Sequence, residues 1–266
     1  MQSEPVVRFG FFVGVFALMA VWEALAPARA RSFPRAARWP SNLAIVALDA
    51  ALLRFAFPVA AVGAAAFASE RGFGLFNALA APLWISVPLS LAALDFVIWL
   101  QHVAFHRVPL LWRFHRMHHA DLDFDVTTAL RFHPVEIALS MLIKMAAVAA
   151  LGAPPVAVVA FEILLNGLAM FDHSNASLPP RLDALVRLVF VTPDMHRVHH
   201  SVRPEETHSN FGFNLSIWDR MFGLYRAAPR EGQQGMTVGL PILREEGELR
   251  LDRMLTQPWR NPDSRR

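Results

Sequence analysis

Three groups of histidines carry the chemistry open to this sequence. His102-Val103-Ala104-Phe105-His106 is an HxxxH pair. Residues i and i+4 of a helix share a face, so both imidazoles reach one ion. His115-Arg116-Met117-His118-His119 and His196-Arg197-Val198-His199-His200 are two HxxHH boxes. Within each box the i, i+3 and i+4 positions face one way while the adjacent pair splays, which suits two ions lying side by side. His173, within Asp172-His173-Ser174-Asn175, opens a polar segment. All 11 histidines fall between positions 102 and 208, and none lies in the first hundred residues. A lone HxxxH reads as a solvated or core pair. Two HxxHH boxes beside it reverse that preference, and the nine imidazoles are more than one ion with an open position takes, so they imply two.

The donor set narrows the metal. With no cysteine, thiolate zinc sites, iron–sulfur clusters and disulfides are excluded, and any ligand is nitrogen or oxygen. Zinc, copper, iron and nickel all accept such a shell. A zinc hydrolase would carry a general-base carboxylate inside its box, as in HExxH, and neither HxxHH box holds an acid. Redox chemistry is therefore preferred. A membrane zinc-dependent lipid hydrolase and a non-enzymatic metal or haem carrier are the alternatives. A carrier would favour histidines inside its spans, not at one face. Around the ligands, Asp95 shares a helical face with His102 and His106 and is expected to orient them. His133 and His208 are further supporting or ligand candidates, and Asp121, Asp123, Asp125 and Asp194 are supporting candidates or ordinary loop and capping acids.

The elements holding these residues are apolar. The chain is 55% hydrophobic and 18% charged, with positive mean hydropathy, and the excess comes in blocks. Runs of about 20 residues, enough to cross the hydrocarbon, occur at 6–26, 43–67 and 81–100. A fourth stretch, 135–171, is split by Gly152, Ala153, Pro154 and Pro155, which predicts a tight hairpin or two tilted spans. Arg29, Arg31, Arg35 and Arg38 follow the first run, and Arg107, Arg113, Arg116 and Arg131 follow the third. Short arginine-rich loops stay in the cytoplasm, so every histidine box lands on the cytoplasmic side. Lys144 and Glu162 each lie nine residues from Ala153, and folding the hairpin there brings them to one depth, either as an ion pair or with Lys144 snorkelling and Glu162 facing a polar cavity. The expected fold is all-α: a multi-span integral membrane helical protein with a cytoplasmic histidine-rich helical cap. Its parts are N-terminal spans over 1–80, a histidine-box catalytic unit over 81–225 and a polar, peripheral C-terminal tail over 226–266.

The boxes and their surroundings resemble the fatty acid hydroxylase/sterol desaturase superfamily. Beyond the histidines, the likeness takes in Leu111-Trp112-Arg113-Phe114-His115, Thr127-Thr128-Ala129-Leu130-Arg131-Phe132-His133-Pro134, Asn210-Phe211-Gly212 and Trp218-Asp219-Arg220-Met221-Phe222-Gly223, and it covers roughly 83–225. The resemblance implies a non-haem centre of two iron ions, ligated by His102, His106, His115, His118, His119, His173, His196, His199 and His200. It implies O2 as co-substrate and hydroxylation or desaturation of a membrane lipid, sterol-like, fatty acyl or other. Such a centre needs two electrons per turnover. The sequence has no GxGxxG and no flavin signature, so an external ferredoxin, cytochrome or reductase is expected, and Arg107, Arg113, Arg116, Arg197 and Arg203 either receive it or contact lipid phosphates. The small net charge of +3 argues against a nucleic-acid partner. A bacterial inner membrane is the expected location.

Overall fold

The computed structural model describes residues 4–260 and is all-α; among them the only β pairing is two isolated bridges, Phe190 with Leu215 and Ser201 with Val238. Five stretches are long and apolar enough to cross a membrane, and the chain is an integral membrane protein. They comprise α1 (Glu4–Leu25); α2 (Arg35–Ala56) continued by α3 (Ala60–Glu70) and the short α4 (Leu75–Ala78); α5 (Leu83–Arg107); α7 (Pro134–Leu151); and α8 (Pro155–Asp172). Between α5 and α7 lies α6 (Pro109–His119). After α8 come the short helices α9 (Pro180–Val186), α10 (Pro193–His199), α11 (Pro204–Thr207), α12 (Ile217–Met221), α13 (Gly232–Gly235) and α14 (Leu251–Thr256). Large apolar side chains such as Phe9, Leu18 and Leu25 on α1 stay exposed, as a lipid-facing helix requires.

The second span departs from the single helix expected over 43–67. Pro58 has no N–H to donate and disfavours helical geometry in the residue before it, so α2 ends at Ala56 and α3 begins at Ala60. The helix also starts eight residues early, because its first turns are held by polar contacts rather than by lipid. Arg38 is fully buried, its guanidinium reaching Asp121 and Asp125, and Asn42 reaches Asp121 and Thr127. Burial alone would raise the Asp121 carboxyl, but Arg38 beside it holds it down to about 2.

The split stretch forms a hairpin of two 18-residue helices. Pro134 takes the first position of α7, and the His133 ring accepts the Val135 N–H, capping it. The helix ends on Gly152 at φ 62°, a left-handed position that glycine adopts without strain. A Cβ there would sit 2.7 Å from Asn77 Nδ2, and one on Gly74 would sit 2.2 Å from Gly152 N, so two glycines let the α3–α4 link pack on the turn. Across the hairpin Lys144 Nζ meets Glu162 Oε1 at 2.5 Å. Arg8 of α1 meets the other oxygen at 2.7 Å, a third partner the sequence did not suggest.

The segment after Tyr225 packs against the helical cap. Gly239 N–H bonds His200 O, Val202 N–H bonds Thr237 O, and Arg29 reaches Met236 O. Met254 is fully buried, and Arg116 donates to the carbonyls of Gln257 and Arg260.

Candidate metal centre

The site forms where the C-terminal end of α5, all of α6, the N-terminal end of α7 and the C-terminal end of α8 meet beneath α10. α5 closes with His102 and His106 on its buried face, around Phe105. Pro109 restarts the chain as α6, which carries His115, His118 and His119 inward. His173 is the residue that ends α8. α10 is begun by Thr192, whose hydroxyl accepts the Met195 N–H, and by Pro193 in its first turn. It delivers His196 and His199, with His200 at its end.

These nine imidazoles are buried and fall into two groups, each with its ring nitrogens within 4.8 Å of one another. His102, His106, His115, His119 and His199 make one; His118, His173, His196 and His200 make the other. Each HxxHH box is divided between them, so adjacent histidines serve different groups. His102 Nε2 lies 3.0 Å from His115 Nε2 and 3.1 Å from His199 Nε2; His173 Nε2 lies 3.1 Å from the Nε2 atoms of both His118 and His196. One ring proton cannot serve two such neighbours at once, whereas a shared cation accepts every lone pair.

Outer hydrogen bonds set the tautomers. Nδ1 of His102 bonds Phe211 O at 2.7 Å, Nδ1 of His115 bonds Glu136 Oε1 at 2.7 Å, and Nδ1 of His199 bonds Ser209 O at 2.8 Å. Nδ1 of His173 lies against Asp172 and 2.8 Å from Ala169 O. A proton fixed on Nδ1 turns the Nε2 lone pair into the group, as in metal-bound imidazoles generally. Burial pushes His115 down to about 3, and burial with crowding by neighbouring rings pushes His118, His119, His196, His199 and His200 well below the usual range. All six are therefore neutral, the form that ligates. Both nitrogens of His106 and His119, with His118 Nδ1, His196 Nδ1 and His200 Nε2, are buried and have no hydrogen-bond partner among the described residues. Bare buried nitrogens are costly, and cations would satisfy them. The residues present fit two bound metal ions.

The four supporting candidates lie elsewhere. The Asp95 carboxylate accepts Trp218 Nε1–H at 2.7 Å and Leu215 N–H at 3.3 Å, bracing the C-terminal loop instead of a histidine. Asp194 bonds Ser177 and Arg197. His133 caps α7 and contacts Leu255 O at 3.2 Å. His208 is exposed, its ring 5.6 Å from that of His106. The carboxylates that do hold ligands are Glu136 and Asp172. Asp219 acts one step further out, accepting the N–H groups of Phe211 and Gly212 and of the Trp99 indole, which fixes the loop whose carbonyl takes His102. The Asp172-His173 dipeptide and a lone glutamate opening the apolar α7 were the sequence signals for the first two.

A cavity of about 260 Å³ runs from His102 and His115 into the membrane bundle. Phe105 and Phe132 line it, whereas Phe114 packs on His133 and Trp259, and Trp112 lies over His106 and His119.

Against known proteins, the fatty acid hydroxylase family model matches residues 87–224, just over half of the chain and every ligand candidate. The chain belongs to the fatty acid hydroxylase family. Among its curated relatives, an ornithine lipid hydroxylase of Rhizobium tropici is 31% identical over 149 residues, 56% of this chain and 44% of that protein. An alkylglycerol monooxygenase of Xenopus tropicalis is 33% identical over 149 residues, 56% of this chain and 32% of that protein. A cholesterol 25-hydroxylase of Rattus norvegicus is 30% identical over 146 residues, 54% of this chain and 47% of that protein. The chain thus spans less than half the length of each of these relatives. No solved structure matches it.

Proposed function

We propose that the chain is an O2-dependent di-iron oxidase that hydroxylates or desaturates an unactivated C–H bond of a membrane lipid, with its site at the cytoplasmic face of a bacterial inner membrane. The observation that carries this reading is the pair of buried imidazole groups, five and four strong, at the end of an apolar cavity. Five nitrogens exceed the tetrahedral shell of structural or hydrolytic zinc, and neither group contains a carboxylate. Two iron ions would supply the O2 activation and C–H oxidation that no amino-acid side chain performs. Hydroxylation consumes one O2, two electrons and two protons, one oxygen atom entering the lipid and the other leaving as water. Phe105, Phe132 and Phe213 line the approach to the histidines and exclude water there, while the cavity walls fix which carbon reaches the site. The related proteins named above, which act on ornithine lipid, alkylglycerol and cholesterol, favour a lipid without choosing one.

Electrons come from an acidic external carrier. Of the five arginines expected to receive it, Arg116 and Arg197 are buried in internal bonds and Arg203 pairs with Glu231. Arg107 and Arg113 stay exposed beside the site, and the carrier docks there. The test is metal analysis of the purified protein against a His118→Ala/His199→Ala double variant, followed by lipid analysis with and without O2. Iron lost in the variant, together with an oxidised lipid formed only under O2, is the expected result. Zinc that iron cannot replace under anaerobic reconstitution overturns it.

A further inference from the structure

α7 crosses the membrane region with three polar side chains in its length, Glu136, Ser140 and Lys144. They recur at i, i+4 and i+8, so they form one stripe, and all three line the cavity. α8 answers with Glu162 and Asn166 on the same cavity, four residues apart. A lipid-facing helix gains nothing from such a stripe, because polar groups at that depth cost free energy unless they meet a partner. Most of the remaining lining is apolar, with Phe12, Val46, Leu53, Ile98, Leu130 and Phe213, while Gln101 of α5 donates to Ser140 at 3.0 Å. One end of the stripe, Glu136, holds His115; the other is the Lys144–Glu162 pair. Eight residues of helix separate Glu136 from Lys144, about 12 Å of rise.

Resting on the lipid-oxidase reading, we propose that the Lys144–Asn166 end of the cavity is a recognition site for a hydroxyl group of the lipid substrate, about ten bonds from the carbon presented to the histidines, at roughly 1.2 Å of extended chain per bond. The hydrogen-bond inventory selects this chemistry. Glu162 is engaged on both oxygens by Lys144 and Arg8, and Asn166 Nδ2 donates to Glu162 O. The Lys144 ammonium, a three-donor group, keeps donors beyond Glu162, and the Asn166 carbonyl oxygen is an acceptor. A hydroxyl accepts from the first and donates to the second. A carboxylate could accept from Lys144 but carries no proton for the Asn166 oxygen, and an unsubstituted tail would leave the stripe facing methylenes.

The experiment reads binding without turnover, using the metal-loaded protein in detergent with 1-decanol, decane and 1-hexanol as probes and the thermal unfolding midpoint as the signal. Decanol is expected to raise the midpoint several degrees beyond decane, with hexanol, too short to bridge the cavity, giving no such increment. A Lys144→Met/Asn166→Leu variant keeps the Glu162–Arg8 bridge and is expected to lose the decanol increment while retaining the decane response. If that variant does not fold, Asn166→Leu alone, at an exposed side chain, is expected to lower the increment at least twofold. Equal responses to decanol and decane in the parent protein, or an increment that survives the substitutions, overturns the proposal. Because no product is measured, that outcome leaves the oxidase reading to its own test.

Discussion

The two imidazole groups are built from the same boxes yet held differently. In the five-membered group, three rings have Nδ1 tied to an acceptor on a separate element: Phe211 O, Glu136 and Ser209 O. In the four-membered group the Asp172–His173 contact is the one carboxylate anchor, and the Nδ1 atoms of His118 and His196 make no hydrogen bond among the described residues. The five-membered group meets the cavity through His102 and His115. The other is walled off by aromatic rings: Phe132 stacks on His118 at 4.4 Å, while Phe124 and Phe213 lie over His173. The group facing the cavity is thus the more fully anchored, and the shielded group offers four donors against five. On the lipid-oxidase reading, the anchoring is concentrated where a C–H bond would be selected.

Ligand removal should expose this asymmetry most strongly. His196→Ala leaves three donors in its group and His119→Ala leaves four in the other, so the larger loss of bound metal is expected from His196→Ala. Elemental analysis of the two variants, prepared side by side, decides it. Equal losses would mean the groups are energetically alike and would remove the distinction drawn above.

The carboxylates give the next largest effect. Asp172→Ala strips the shielded group of its single carboxylate and should weaken one ion about 100-fold, near the upper end for outer-shell partners. Glu136→Gln keeps an acceptor for His115 in a group with two further anchors, so about 10-fold is expected. Competition with a chelator while following iron release gives both numbers, and the order of the two variants is what tests the comparison.

Asp219→Ala works at one remove. It leaves the buried N–H groups of Phe211, Gly212 and Trp99 unpaired, a loss of about 1–3 kcal/mol for each orphaned group, offset where water enters. A lower thermal midpoint is expected, with iron lost first from the five-membered group, because Phe211 O is the acceptor for His102. Loss from the other group first would show that this loop does not act through His102.

Much of this centre was legible because helical spacing is a local property. HxxxH and HxxHH put their rings on one face whatever the tertiary fold, and the hairpin carried its own signal in Gly152, Pro154 and Pro155. What escaped was set by contacts distant in sequence. Asp95 has the right period to face His102, but its carboxylate is claimed by Trp218, 123 residues away, while backbone carbonyls, which leave no trace in residue type, take two ligand protons. Arginine was ambiguous too. Arg38 was counted as a topological charge after the first span, yet it is fully buried between two aspartates, and Arg35 pairs with Glu23. A buried salt-bridged arginine and a lipid-flanking one are the same letter. The break at Pro58 was readable, but a long apolar run outweighed it.

The smallest effect is expected at His208, and it bounds the five-membered group. The ring is exposed and 5.6 Å from that of His106, near enough to be mistaken for a sixth ligand but outside the set whose nitrogens converge. An exposed side chain of this kind contributes within about 0.5 kcal/mol to stability, so His208→Ala should leave both iron content and thermal midpoint unchanged. Any iron loss would enlarge the cavity-facing group to six and make it still more unlike its neighbour. Unchanged iron confines the group to five buried rings, and the exposed His208 then stands between the centre and the surface, where partial desolvation and the Arg107 charge push its ring below the usual range.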